Sequence, residues 1–540
     1  MRNKFANEST YERMSRSGNE AEFDRLFDEA ATLAKKSFNR EHPMHIGGRQ
    51  VLTEEKLVEV SPIDRGTVIG KFQKGTAESA KLAISEAASA LADWSGTDYR
   101  ERVEIFRKAA SLLSERKFEV AAILSYENGK TRYESVGEVD EGIDFMRYYA
   151  MEVETNKGYA RKTGLTGTTP KETTGFQGAA SGSEKIRVAL RPYGVFGIIA
   201  PFNFPVSISI GMSTGALITG NTVVFKPSSS ENMTMLSGIR IYELFKEAGV
   251  PSGAFNYITG MGTLIGDEML HNDSVKGIAF TGSRSAGTSL IVKAALYGKM
   301  KQLVLEMGGK NPAIVSRSAD LDTAANGIAS AAFGYAGQKC SALSRLYVHE
   351  SIKEALVGKL IEKARNMKIG NPLNKEVYVG PLIGEPAMKR YREIIASART
   401  AERVLYGGNE VKTGLNGFYV EPTIIDAKHT SELVKRELFL PILTVETFKD
   451  INEAIRLAND TPYGLTAGFY TKKRSEIKEF ASKIEAGVLY INREVSATTG
   501  AMVGVHAFVG WKDSGFTGKG TGSRFYLQQF MREQSVSLVQ

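Results

Sequence analysis

The chain has 540 residues, of which 42% are hydrophobic and 24% charged, with a formal net charge of +8; this excludes a disordered or fibrous protein and fits a water-soluble folded one. The length exceeds what one hydrophobic core serves, so two or three domains are expected. The positive charge is spread without a basic block, which argues against a nucleic-acid partner and favours acidic small molecules.

Residues 1–38 mix Arg2 and Lys4 with Glu8, Glu12, Glu20, Glu22 and Asp24 and contain no apolar run. Neither a signal peptide nor a transit peptide is expected there, only a helical extension over residues 1–51. Long helical patterns follow at 77–94, 99–115 and 117–128, and 140–150 reads as the end of a fourth. Residues 158–183 are rich in Gly, Thr and Ser without periodicity, and 185–190 reads as a strand; this is a flexible linker or an arm reaching a neighbouring subunit. From residue 194 onward short β-branched runs alternate with amphipathic stretches: strand 195–199, helix 207–219, strand 222–225, helix 233–248, then strands 256–259, 275–280 and 302–306. A second unit continues with helix 323–335, strand 344–348 and helix 353–367 and runs to about residue 490. The alternation predicts an α/β fold with doubly wound parallel sheets. The most apolar stretch, 195–225, is broken by Pro201, Asn203, Pro205 and Asn221, so no membrane-spanning segment is expected.

Cys340 is the only cysteine. It forms no internal disulfide, which fits a reducing, cytoplasmic setting. A lone cysteine is by default a small apolar core residue, but the sequence around this one, Gly-Tyr-Ala-Gly-Gln-Lys-Cys-Ser-Ala over 334–342, supports a nucleophile. Lys339 sets a positive charge beside the sulfur, Gly337 permits close approach of a backbone or a substrate, and the polar run 338–341 does not resemble packed core. A thiol with a pKa of about 8.5 is mostly protonated at neutral pH, so a catalytic cysteine needs a base. The six histidines, His42, His45, His271, His349, His429 and His506, fall in no cysteine-protease pattern, and His42 with His45 lacks the further ligands of a metal site. No metal is expected. Glu306, at the end of a predicted strand and before Gly308 and Gly309, is the other candidate base.

Two segments fit an anionic ligand. Residues 280–287, Phe-Thr-Gly-Ser-Arg-Ser-Ala-Gly, lead from a strand into a helix whose first N–H groups are free to face a phosphate. Lys226-Pro227-Ser228 ends another strand with a cation and a hydroxyl suited to a ribose or phosphate. The Gly-x-Gly-x-x-Gly fingerprint is missing, which disfavours an ordinary Rossmann dehydrogenase.

Taken in order, Pro201-Phe202-Asn203-Phe204, Lys226-Pro227-Ser228, Phe280-Thr281-Gly282-Ser283, Glu306-Met307-Gly308-Gly309-Lys310, Gly337-Gln338-Lys339-Cys340 and Glu437-Leu438-Phe439 resemble the aldehyde dehydrogenase superfamily from about Leu52 to the C-terminus. The spacings, 23 residues from Asn203 to Lys226 and 34 from Glu306 to Cys340, resemble the family's as well. The resemblance implies a cofactor-binding domain over 52–157 and 191–307, a catalytic domain over 308–522, and an oligomerisation arm from 158–190 and 523–540, hence a homo-oligomer. It implies Cys340 as the nucleophile that attacks an aldehyde, Asn203 as an oxyanion donor and Glu306 as the base for thioester hydrolysis. It further implies that NAD, with NADP not excluded, is bound by Ile199, Ala200, Pro201, Phe202, Lys226, Ser228, Gly282, Ser283, Gly287, Glu437 and Phe439.

Within that superfamily the pocket residues resemble the branch acting on L-glutamate 5-semialdehyde. Ser341 and the N–H groups of Gly500 and Ala501 are implied to hold the substrate carboxylate, Phe204 and Phe508 its methylene chain, and Glu141 its ammonium. Without that resemblance, the acidic helix that carries Glu138, Asp140, Glu141 and Asp144 reads as a solvated face. Donors that converge on a carboxylate and apolar walls around a short chain suit such a substrate. The chain departs from the pattern at Ser229, where many NAD-preferring members have glutamate, at Leu440 in Phe-Leu-Pro, at Val509 in Phe-Val-Gly, and in the longer approach 492–498. Another carboxylated semialdehyde, such as that of 2-oxoglutarate, succinate or methylmalonate, remains open as substrate. A cofactor-independent cysteine thioesterase remains open as an activity of another class.

Overall fold

The computed structural model describes residues 11–163, 184–229 and 233–539. Two seven-stranded sheets dominate it. The first contains β1 (Met44–Ile46), β2 (Arg49–Val51), β3 (Val195–Ile199), β4 (Thr222–Lys226), β5 (Phe255–Tyr257), β6 (Val275–Thr281) and β7 (Gln302–Glu306), in the spatial order β7-β6-β3-β4-β5-β1-β2. The five strands β7 to β5 are parallel, and the β1–β2 hairpin closes the edge in antiparallel fashion. Side-chain alternation sends Phe196, Ile198, Val223, Phe225 and Val304 into one buried cluster, and Val195, Ile199, Val224, Leu303 and Leu305 into the cluster on the opposite face. A sheet buried on both faces needs such nearly continuous apolar strands.

The second sheet contains β8 (Asn311–Val315), β9 (Leu343–His349), β10 (Arg403–Tyr406), β11 (Thr423–Asp426), β12 (Ile442–Phe448), β13 (Thr466–Tyr470) and β14 (Val488–Ile491), in the order β10-β11-β12-β9-β8-β13-β14. All its pairs are parallel except β10 with β11. The two predicted α/β units are therefore present, and most predicted elements match to within two residues. The extension expected to be helical over 1–51 is helical only as far as Lys36; residues 40–51 form strands, of which β1 and β2 complete the first sheet, β1 by pairing with β5. Only four residues, 307–310, separate the end of β7 from the start of β8. This short connection ties the carboxyl edge of the first sheet to the amino edge of the second.

In the first sheet the chain runs outward from β3 through β4 and β5 and then returns to the other side of β3 with β6 and β7. Ligands of such sheets bind outside the carboxyl ends of the strands at this reversal. Those ends carry the segments 199–203, 226–228, 281–283 and 306–308, so the topology itself gathers four of the sequence motifs.

The acidic helix bearing Glu138, Asp140, Glu141 and Asp144 (Arg132–Thr155) does not present the solvated face that its sequence predicts. Glu138 and Asp140 are buried, paired with the equally buried Lys130 and Lys117. Burial of charge is tolerated here because each carboxylate has a cation, and Glu138 Oε1 also accepts the N–H groups of Val206 at 2.8 Å and Ser207 at 3.2 Å. Residues 164–183 of the expected arm lie outside the described residues. The flanking strands Ala160–Thr163 and Glu184–Pro192 pair with each other, and the latter pairs with Met531–Val539 at the C-terminus.

The helix that follows the 226–229 turn, Met235–Ala248, starts on two buried carboxyls. Met235 N–H donates to Glu59 at 3.2 Å, and Ser237 N–H to Glu127 at 3.0 Å. The two carboxyls also hydrogen-bond to each other, and burial pushes both above the ordinary carboxylate range. Two such groups in contact retain a proton, since both cannot ionise without water. The folded chain therefore binds that proton more tightly than the unfolded one, so the pair's contribution is full below the ordinary carboxylate range and is lost as pH rises through the elevated folded values. Replacing Glu127 with Gln supplies a permanent donor. The melting temperature of the wild type is expected to fall between pH 5 and pH 8 relative to Glu127→Gln, by about 1–3 °C for a chain of this size. Parallel melting curves across this pH range would contradict the shared proton.

Candidate active site

A cavity of about 650 Å3 opens at the carboxyl ends of β3, β4, β6 and β7. It is lined by Ile199, Ala200, Pro201, Phe202, Asn203, Lys226, Ser228, Gly282, Ser283, Cys340, Glu437 and Phe439. These positions run from residue 199 to residue 439 of the chain, yet they share one wall system. Of the expected cofactor residues, Gly287 does not line it. Gly287 lies in the helix Arg284–Leu296, where a Cβ would meet Met307 Sδ at 2.4 Å, so this glycine lets the helix approach the β7–β8 connection. Glu306, Phe204, Ser341, Gly500, Ala501, Phe508 and Glu141 also lie outside the cavity lining.

The cavity's chemistry suits a ribose-diphosphate. The helix Arg284–Leu296 opens with its N-terminus beside Gly282, and Ser283 caps it by accepting the Ala286 N–H at 3.2 Å. Its first N–H groups and the dipole favour negative charge. The Lys226 ammonium is buried and lowered to about 8, and donates to the Pro227 carbonyl at 3.0 Å. Gly262 faces this ammonium, where a Cβ would come within 3.9 Å of Nζ, so the glycine leaves the space beside it open. Ser229 contributes nothing to the lining: its hydroxyl donates to the Gly260 carbonyl at 2.7 Å and accepts the Gly260 N–H at 3.1 Å.

At the other end of the cavity Glu437 accepts the Gly309 N–H at 2.9 Å, and burial raises its carboxyl to about 7. Gly308 is required for this contact, because a Cβ there would lie 2.1 Å from the carboxylate. Leu440, which stands where a glycine is expected, turns its side chain into the core; its carbonyl packs under Gly337, whose φ is +68° and whose Cβ would sit 2.3 Å from that oxygen. The close approach foreseen at Gly337 is thus made by the Leu440 backbone.

Cys340 follows closely on three consecutive left-handed residues, Tyr335, Ala336 and Gly337. The two that are not glycine each cost on the order of 1–2 kcal/mol, so the loop needs external support. Gln338 provides part of it: its Oε1 accepts the Ile383 N–H at 2.8 Å and its Nε2 donates to the Pro381 carbonyl at 3.2 Å. Asn311 provides more, with Nδ2 donating to the carbonyls of Cys340 at 2.8 Å and Ala342 at 2.9 Å. Asn203 Nδ2 donates to the Gln338 carbonyl at 3.2 Å, which brings its amide beside the nucleophile loop. The polar run 338–341 is therefore well packed after all, with Gln338 and Ser341 buried and held by hydrogen bonds rather than exposed.

The thiol is not activated at rest. Burial pushes Cys340 up to about 12, with Glu437 and Glu306 adding to the rise. Lys339 does not oppose this, because its ammonium is engaged with Glu134 at 2.8 Å. Glu306 ends β7 with Oε2 out of contact with water and without a hydrogen-bond partner, and burial holds its carboxyl well above the usual range. Desolvation favours the protonated carboxyl, and a polar partner that donates to it would favour the carboxylate that can act as a base.

On the far side of Cys340, Thr498 Oγ1 donates to the Ser341 carbonyl at 2.7 Å, which joins the segment before Gly500 to the nucleophile loop. Phe204 lies under the Lys130 ammonium, 3.4 Å from its ring centroid. Burial raises the Glu141 carboxyl to about 7, and its charge reaches Cys340. Asn311, Gln338, Lys130 and Thr498 escape a reading of the sequence alone. Two of them carry a signal by position alone, Gln338 inside the motif that ends at Cys340 and Asn311 directly after the Gly308-Gly309-Lys310 motif.

Because Glu437 is the second cause of the elevated thiol, Glu437→Gln is expected to increase the rate of Cys340 alkylation by iodoacetamide at pH 8.5, without cofactor, by about three- to tenfold. A rate equal to or below that of the wild type would show that burial alone sets the thiol.

The aldehyde dehydrogenase family model matches residues 51–536. A 1-pyrroline-5-carboxylate dehydrogenase of Halalkalibacterium halodurans is 34% identical over 519 residues, covering 95% of this chain and 96% of that one. One of the two from Bacillus subtilis is also 34% identical over 517 residues, covering 95% of each. Among solved structures, the 1-pyrroline-5-carboxylate dehydrogenase from Thermus with bound NAD superposes with a TM-score of 0.87 at 32% identity, over 95% of this chain and 96% of that one. Proline utilization A from Bdellovibrio bacteriovorus gives a TM-score of 0.90 at 31% identity; this chain spans about half of that protein, 54%, and is covered completely. With a family match across almost all of its length, the chain belongs to the aldehyde dehydrogenase family.

Proposed function

We propose that the protein oxidises L-glutamate 5-semialdehyde, the open form of 1-pyrroline-5-carboxylate, to L-glutamate with NAD, as a step of proline catabolism. The observation that supports this reading is the Thr498–Ser341 hydrogen bond, which ties the segment leading to Gly500 to the loop that carries Cys340. Donors from that segment would suit a substrate that bears its own carboxylate. The relatives' names point to the same substrate.

In this mechanism Cys340 Sγ releases its proton to solvent water and attacks the aldehyde carbon as the thiolate, and Asn203 Nδ2 with the Cys340 N–H stabilises the resulting oxyanion. Lys226, Ser228, the helix start at Ser283 and the Glu437–Phe439 segment would hold NAD, which when bound would supply the hydride acceptor. Glu306 then takes a proton from water as the water attacks the thioester carbonyl; the C–S bond breaks and the acid leaves. Burial holds the Glu306 carboxyl above the usual carboxylate range, which makes its carboxylate a stronger base than an exposed one. Ser341, Gly500 and Ala501 hold the substrate carboxylate, Phe204 and Phe508 flank its chain, and Glu141 meets its ammonium.

Within the same reading, 52–157 and 191–307 form the NAD-binding domain and 308–522 the catalytic domain. The sheet of Ala160–Thr163, Glu184–Pro192 and Met531–Val539 serves as an oligomerisation arm in a cytoplasmic homo-oligomer. No helix among the described residues is long and apolar enough to cross a membrane.

The test is kcat/KM with L-glutamate 5-semialdehyde against the semialdehydes of succinate, methylmalonate and 2-oxoglutarate, each with NAD and NADP. The glutamate compound is expected to lead, and a higher value for any other would replace it. Cys340→Ser should lose at least about a thousandfold in kcat/KM; retained activity would rule out the covalent route. Glu306→Gln should release about one equivalent of NADH per site in a burst and then turn over about 10²–10⁴-fold more slowly. Steady turnover without a burst would assign the hydrolytic base elsewhere.

A further inference from the structure

The segment that leaves β14 carries Arg493, whose guanidinium reaches forward over its own chain. Its Nη1 donates to the Thr499 carbonyl at 2.9 Å and its Nη2 to the Gly500 carbonyl at 3.0 Å. The described residues contain no cis peptide bond. In a trans peptide the C=O of one residue and the N–H of the next point in opposite directions. Arg493 therefore holds the carbonyls of two successive peptides on its own side, and this turns the N–H groups of Gly500 and Ala501 to the opposite side. Neither of those N–H groups has a protein hydrogen-bond partner among the described residues.

We propose that Arg493 is the positioning residue of the carboxylate subsite: it fixes the two peptide planes so that the Gly500 and Ala501 N–H groups converge on the substrate carboxylate. This rests on the reaction proposed above. The guanidinium also polarises both peptides, since a cation on a carbonyl oxygen makes the N–H across the same peptide a stronger donor.

The surroundings fit this role. Arg493 is anchored at its backbone, where its carbonyl accepts the Tyr470 hydroxyl at 2.7 Å, and its guanidinium lies over the Tyr490 ring at 4.7 Å. Gly327 makes room, because a Cβ there would lie 2.3 Å from the Arg493 carbonyl and 2.0 Å from the Tyr470 hydroxyl. Gly500 is left-handed at φ +82°, a conformation that glycine adopts without strain, and a Cβ there would make only an ordinary contact with Arg493 Nη2 at 3.4 Å, so the turn is what calls for glycine. The intervening residues are tied down separately: Ser496 N–H donates to Ser330 Oγ at 2.8 Å, and Ala497 N–H to the Gly327 carbonyl at 2.9 Å. No carboxylate pairs with Arg493 among the described residues; both arms of its fork go to carbonyls, and its charge is not cancelled by a neighbour.

Arg493→Met and Arg493→Lys test this. Lysine retains the charge but lacks the planar fork that spans two carbonyls. With L-glutamate 5-semialdehyde, Arg493→Met is expected to raise KM at least about tenfold with kcat within about twofold, the mark of lost uniform binding. Its kcat/KM for propanal, which has no carboxylate, should stay within about twofold of the wild type. Arg493→Lys should fall between. An unchanged KM for the semialdehyde, or an equal loss on both aldehydes, would overturn the proposal. If Arg493→Met does not fold, Arg493→Lys decides by the same split. A wild type that does not prefer the semialdehyde to propanal would overturn the substrate reading and this proposal together. A wild-type preference that survives intact in Arg493→Met would overturn the role of Arg493 alone.

Discussion

One buried amide, that of Asn311, joins the parts on which the site depends. Its Nδ2 holds the carbonyls of Cys340 and Ala342, and its Oδ1 accepts the Thr466 N–H at 3.1 Å. Three segments meet there: the start of β8, the nucleophile loop and the start of β13. The loop needs such a clamp because Tyr335 and Ala336 hold left-handed conformations that their side chains disfavour. Removing the amide would leave two buried carbonyls and an N–H without partners, at a cost of about 1–3 kcal/mol each. Since β8 follows Glu306 after only the short 307–310 connection, the same clamp sets the distance between thiol and base.

The electrostatics of the resting site oppose ionisation. Desolvation and the carboxyls of Glu437, Glu306 and Glu141 all act against ionisation of the half-buried Cys340, and the neighbouring cation is drawn off by Glu134. A neutral thiol is a poor nucleophile and a poor target for oxidation, because both reactions use the thiolate. The same desolvation raises Glu306 above the usual carboxylate range and Glu437 to about 7. The arrival of a positively charged or hydrogen-bonding ligand would favour the ionised forms.

Support for the substrate side comes from pairs that do no chemistry themselves. Lys130 and Glu138 are each wholly buried, and each also braces a neighbour: the ammonium rests on the Phe204 ring, and the carboxylate caps the helix that starts at Ser207. Arg493 and Thr498 do the equivalent for the Gly500 turn, one by gripping its carbonyls and the other by binding it to Ser341. Recognition of a short polar substrate calls for donors fixed before it arrives, since flexible donors would lose entropy on binding.

The α/β class, the two units and most elements of the first unit were determined by the sequence itself, because hydrophobic periodicity and Gly and Pro punctuation act locally; of the second sheet only β9 reads as a strand in the sequence. The ordered motifs around Asn203, Lys226, Gly282, Glu306, Cys340 and Glu437 are equally legible there, and the parallel topology brings the strand-end motifs among them to one edge. What only the tertiary structure decided is how the charges are paired and which way the peptides face. Lys339 reads locally as an activator of the thiol, yet Glu134, 205 positions earlier in the chain, claims it. Glu138 and Asp140 read as solvated, yet Lys130 and Lys117 meet them in the core. Gly287 reads as a cofactor contact, yet it packs on Met307. In each case the partner that decides is fixed by proximity in space, and burial and electrostatic pairing depend on that distance, which local pattern does not encode.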